Sequence, residues 1–170
     1  VIVYSQRCRE TYPDVPIVIG SIEASLRRIA HFDYWSEKIR RSVLLDAKAD
    51  MLLFGNAERA IVELTHRMAS GEAVADIQDI RGTAYVTDEP LAGWRGLDET
   101  RLPDEKADSG VRLMMESAPE YIELPSFEAV LGDKALYAHA SRLLHRETNP
   151  GNARALVQRH GDKIVWLNPP

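Results

Sequence analysis

Residues 15–20, Val15-Pro16-Ile17-Val18-Ile19-Gly20, decide the fold. The run is short, continuous and rich in β-branched side chains, the pattern of a strand covered on both faces in a parallel sheet. Gly20-Ser21 closes it, and residues 22–30 place Ile22, Leu26 and Ile29 at helical spacing. Met51-Leu52-Leu53-Phe54 repeats the theme: a second buried strand, then a stop at Gly55-Asn56. A helix from about Ala57 to Ser70 follows, with Ala57, Ile61, Leu64 and Met68 on its apolar face and Gly71 as its stop. Thr83-Ala84-Tyr85-Val86-Thr87 reads as a third strand. Strand and helix thus alternate through residues 1–87. That order argues an α/β fold, a partial Rossmann-like or flavodoxin-like parallel sheet with flanking helices.

Working outward, Tyr4, Cys8 and Tyr12 predict a helix before the first strand. Ser36 is expected to cap a helix to about Lys48, with Ile39, Val43, Leu44 and Ala47 facing inward. Residues 88–123 are punctuated by Pro90, Gly93, Gly96, Pro103 and Pro119 and read as a linker or surface excursion, with one short helix at 111–117. Residues 124–170 read as a helical extension ending in a strand. Asp133 caps a helix to about Glu147, Asn149-Pro150-Gly151 turns, a short helix covers 152–158, and Lys163–Leu167 is the last strand.

The chain has 170 residues, 45% hydrophobic and 28% charged, which excludes disorder as a global description. Lys plus Arg total 21 against 26 Asp plus Glu, a net charge of −5 that gives no basic surface for nucleic acid. Cys8 is the lone cysteine, so neither an intrachain disulfide nor an iron–sulfur or multi-cysteine zinc site can be built from this chain. That usage fits a cytoplasmic location. No apolar run is long enough to span a bilayer, and no signal peptide is visible. With Val1 at one end and Asn168-Pro169-Pro170 at the other, the chain reads as a fragment of something longer.

Ligands of parallel sheets bind beyond the carboxyl ends of the strands. Two such ends meet helix starts here. One is Gly20-Ser21 with Glu23 and Ser25; the other is Gly55-Asn56 with Glu58. Both are candidate cofactor-binding loops opening on one sheet edge, and both also read as capped turns, with Ser21 and Asn56 as caps. Arg27, Arg28, His31, Tyr34 and Trp35 form the most unusual composition, suited to an anionic ligand, to an interface, or to an aromatic minicore beside a solvated arginine pair. The five histidines show no H-E-x-x-H pattern, no residue is marked as catalytic or as a metal ligand, and Cys8 reads as a buried inert thiol.

The string Gly20-Ser21-Ile22-Glu23-Ala24-Ser25-Leu26-Arg27-Arg28, continuing through His31-Phe32-Asp33-Tyr34-Trp35-Ser36, resembles the N-terminal region of the YgiQ-type radical S-adenosylmethionine proteins. So do Lys48 to Arg59, Leu124 to Glu128, Tyr137 to Ser141, Glu147 to Gly151, and Asn168-Pro169-Pro170. The resemblance implies a cobalamin-binding-domain-like fold placed before a radical S-adenosylmethionine barrel. That barrel binds a four-iron–four-sulfur cluster through C-x-x-x-C-x-x-C and cleaves S-adenosylmethionine. It implies a bacterial protein of unknown substrate, a fragment not catalytic alone, and the downstream barrel as partner. Ser21 stands where the family usually carries a second glycine, the D-x-H-x-x-G cobalamin motif is absent, and the 88–123 linker is short against the family.

Two further readings stay open beside this one. The chain is alternatively a stand-alone flavodoxin-like module binding a small molecule or nucleotide. Or it is an interaction domain using Tyr34, Trp35 and the arginine pair.

Overall fold

The computed structural model describes residues 1–103 and 118–170. Helix α1 (Ile2–Thr11) leads into strand β1 (Val18–Ile19). Helix α2 (Ser21–Leu26), strands β2 (His31–Asp33) and β3 (Lys38–Arg40), and helix α3 (Val43–Ala47) connect it to strand β4 (Met51–Leu53). Helix α4 (Glu58–Ala69) and a 3-10 turn at Val74–Asp76 precede strand β5 (Thr83–Thr87). Strands β6 (Arg95–Asp98) and β7 (Glu120–Glu123), helices α5 (Phe127–Gly132) and α6 (Lys134–Arg146), and strands β8 (Ala155–His160) and β9 (Lys163–Leu167) complete the order.

The fold is mixed α/β. One seven-stranded sheet has the order β1-β4-β5-β9-β8-β7-β6, and β2 and β3 form a separate hairpin. The expected parallel pairing holds for β1 with β4; β6, β7 and β8, which the sequence did not predict as strands, also pair parallel. The centre, β4-β5-β9-β8, is antiparallel. Thr83–Thr87 is a strand as predicted, yet it runs against β4: the chain re-enters the sheet at the end where β4 finishes, Thr83 beside Leu53, instead of crossing back to the end where β4 begins.

Alternation sorts the strand side chains between two layers. Leu52 faces a core built from Ile19, Ala24, Val43, Leu44, Leu143, Val165 and Leu167. Met51 and Leu53 face the other way, against Ala60 and Leu64 of α4 with Ile77 and Ile80. Further along that sheet, Tyr85, Tyr121, Val157, Ile164 and Trp166 cluster beneath Leu91 and Trp94.

Several expectations are corrected. Residues 36–48 are not one helix: the chain forms the β2–β3 hairpin, and only α3 is helical, capped by Ser42 rather than Ser36. Residues 152–158 are not a helix either. Ala155-Leu156-Val157-Gln158 is strand β8, buried on both faces between β7 and β9, where tertiary burial overrides the helix propensity of Ala, Leu and Gln. The stretch read as a linker supplies β6 and β7 to the sheet, and the helix expected at 111–117 lies outside the described residues. Ile22 and Leu26 do not face inward; α2 buries only Ala24, leaving them 75% and 69% exposed. Cys8 is exposed, on the outer face of α1 with Tyr4 and Tyr12.

Candidate functional site

The two candidate loops lie side by side because β1 and β4 are parallel neighbours. Ser25 joins them: its Oγ donates to the Ser21 carbonyl at 2.9 Å and accepts from the Gly55 amide at 3.3 Å. Neither expected cap is made. The N-cap of α2 is Gly20 and that of α4 is Ala57, both without a side-chain hydrogen bond. Gly20 is extended, and a Cβ there would only touch the Leu53 carbonyl at 3.5 Å. Ser21 instead carries the strain, at φ +73°, a left-handed conformation that favours glycine. Gly55 is left-handed too, at φ +69°. Asn56 and Glu58 are exposed, and neither side chain has a hydrogen-bond or ion-pair partner among the described residues.

Glu23, Arg27 and His31 form a file at four-residue spacing. Arg27 pairs with Glu23 at 2.8 Å and donates its Nε–H to His31 Nε2 at 3.1 Å. The other ring nitrogen of His31 lies 3.2 Å from the Ile29 carbonyl, so the imidazole is held neutral with its proton on Nδ1. Burial first, and the adjacent Arg27 cation, push its pKa down. Arg28 turns inward instead: its guanidinium lies 4.8 Å over the Phe54 ring and donates to the Ser25 carbonyl, with burial lowering its pKa and Nε left without a partner among the described residues. The arginine pair therefore diverges, one to the surface file and one beneath the end of β4. Tyr34 and Trp35 project from the hairpin, 81% and 94% exposed.

The chain also holds features that its pattern did not reveal. Asn168 is buried, and its amide nitrogen contacts the Gln78 and Ile80 carbonyls and Thr83 Oγ1 at 2.9, 3.0 and 2.9 Å. Its Oδ1 accepts from the Trp166 indole N–H at 2.9 Å. Beside it opens a cavity of about 490 Å³ lined by Arg67, Asp79, Arg81, Trp94 and Pro169 among others. An asparagine directly after an apolar strand and before Pro-Pro was the available signal. His160 is buried, stacked on Phe127 at 5.5 Å, and has no partner for either ring nitrogen among the described residues.

A four-iron cluster needs three thiolates. The one cysteine lies exposed on α1, and among the described residues no group of three His, Cys, Asp or Glu side chains is placed to hold a metal. This chain does not fit that cofactor. Among the described residues, no helix is long and apolar enough to cross a membrane.

Comparison with known proteins adds the following. A family model described as radical SAM N-terminal matches residues 1–170. The chain is 50% identical over 199 residues to the UPF0313 protein YgiQ of Escherichia coli strain K12, covering 99% of this chain and 27% of that protein. It is 58% identical over 170 residues to UPF0313 proteins of Rhodopseudomonas palustris and Bradyrhizobium diazoefficiens, covering 99% of this chain and 24% of each. The chain thus spans about a quarter of the curated relatives it matches. The 199-residue alignment exceeds this chain's own length, whereas the other two alignments match it. No solved structure matches.

Proposed function

The chain belongs to the radical SAM N-terminal family, and from that membership we propose that it is the accessory N-terminal domain of a longer radical S-adenosylmethionine iron–sulfur protein. The observation that carries this reading is the family match over residues 1–170 in a chain that spans about a quarter of its relatives. With one cysteine, the cluster and S-adenosylmethionine belong to residues outside this chain. The β1–α2–α3–β4 unit is its Rossmann-like part, and the Ser25-tied loops face the neighbouring catalytic region or its substrate. The protein works in the cytoplasm, where a reducing environment suits both the cluster and a free Cys8. The test is anaerobic reconstitution of the longer protein, then reduction with S-adenosylmethionine. Release of 5′-deoxyadenosine supports the reading, and an unreacted cosubstrate refutes it.

A second reading, small-molecule binding at the two loops, is favoured by the Ser25 bridge that fixes them side by side. Calorimetry with nucleotides, S-adenosylmethionine and cobalamin tests it, and heat from none of them removes it.

A further inference from the structure

The connection from β1 to β4 is a parallel crossover, a job one helix usually does. Here it is split into two short helices around the β2–β3 hairpin. Among the described residues the hairpin joins no other strand and adds little to the core: Phe32 is half exposed, and Ile39 is its one apolar side chain packed inward. Its turn is nonetheless firmly built. Asp33 accepts from the Trp35 amide at 3.1 Å, from Ser36 Oγ at 2.7 Å and from Arg40 Nε at 3.4 Å. The Ser36 hydroxyl holds the Asp33 carboxyl below its usual range. The base is anchored as well. The Ala30 amide donates to Gln158 Oε1 at 2.7 Å, and the Phe32 amide donates to the Tyr137 hydroxyl at 3.0 Å.

An ordered turn that lifts a tryptophan and a tyrosine into water costs conformational entropy and returns little packing among the described residues. Exposed, rigidly mounted Trp and Tyr are the usual anchors of interfaces. About three quarters of each relative's length lies outside the matched region, so a large covalently attached partner is at hand. We propose that the β2–β3 hairpin docks onto the catalytic region downstream of residue 170 in the longer protein, with Trp35 and Tyr34 as the anchors. This rests on the accessory-domain reading.

The experiment is hydroxyl-radical footprinting of the longer protein, read residue by residue by mass spectrometry. Trp35 and Tyr34 are expected to oxidise about tenfold more slowly than in the urea-unfolded protein. In a Y34S/W35S variant, proteolytic cleavage of the segment after Pro170 is expected to accelerate while circular dichroism stays unchanged, since Trp35 is 94% exposed within the domain. Oxidation of Trp35 at the unfolded rate overturns the proposal, as does unchanged cleavage in the variant. Protection that vanishes on dilution to the monomer also overturns it and assigns the surface to a second copy. Protection without 5′-deoxyadenosine release keeps the docking and removes the radical-enzyme reading; release without protection removes the docking alone.

Discussion

His160 offers the sharpest test of the packing. It ends β8, stacks on Phe127, and buries both ring nitrogens without a partner among the described residues. Burial pushes its pKa down to about 4, with Arg41 and His31 lowering it further and Glu128 and Asp46 opposing. In the unfolded chain the imidazole titrates near 6.5. Between those values the unfolded state binds more protons, so the stability this histidine allows is fully present above about pH 6.5. It is lost as pH falls through the folded pKa. A shift of about two and a half pKa units is worth roughly 3 kcal/mol when complete. Replacing the ring by phenylalanine keeps the stack on Phe127 and removes both unpaired nitrogens. His160→Phe is therefore expected to match or exceed the native chain by up to about 1 kcal/mol at pH 7, and to lead by about 3 kcal/mol more at pH 4. Urea unfolding of both chains at pH steps from 7 to 4 measures the difference, in which all shared carboxylates cancel. Parallel loss of stability in the two chains across that range refutes a buried neutral imidazole.

Three other outcomes follow from the geometry. Ser21→Gly relieves the left-handed strain at φ +73° and is expected to raise stability by about 1 kcal/mol, whereas Gly55→Ala at φ +69° is expected to lower it by about 1 kcal/mol; thermal unfolding checks both. Asn168→Ala leaves the Trp166 indole N–H without its acceptor in a buried site, while the Tyr85 and Thr83 hydroxyls still donate to the Gln78 and Ile80 carbonyls, and is expected to cost about 1–3 kcal/mol in urea unfolding. Ser25→Ala removes the bridge between the loops and is expected to speed exchange of the Gly55 amide about tenfold by hydrogen–deuterium exchange, with little change in overall stability.

Elements with a long one-sided pattern were legible in the sequence. Helix α4 runs from Glu58 to Ala69 against an expectation of 57–70, since Ala57, Leu64 and Met68 do share an inward face and Gly71 does stop it, although Ile61 of the expected face is exposed. Asp133 caps α6 as expected, accepting from the Ala135 amide at 2.7 Å. Strand β9 also matches, because its residues 164–167 are apolar on both faces in the middle of the sheet. The β2–β3 hairpin was hidden by its brevity. Its strands have three residues each, and Ile39, Val43, Leu44 and Ala47 imitate a helical face across the boundary between β3 and α3. Strand β8 was hidden because burial on both faces erases the alternation that marks a strand.

At the candidate site, the placement of both loops on one edge was legible from two strand ends followed by helix starts. The bond that unites them was not, since Ser25 meets Gly55 only through the parallel pairing of β1 and β4. The divergence of Arg27 and Arg28 was equally out of reach: it depends on Phe54 lying under one of two adjacent arginines. His160 and Asn168 gave no local pattern, because their roles come from neighbours distant in sequence.

The central claim is that this chain is the cluster-free accessory part of an iron–sulfur protein. Iron and acid-labile sulfide should be counted, after anaerobic reconstitution, in the longer protein and in the 170-residue chain side by side. The account predicts about four irons per longer chain and none retained by residues 1–170. A longer protein without iron, or a cluster held by the 170-residue chain itself, would contradict it.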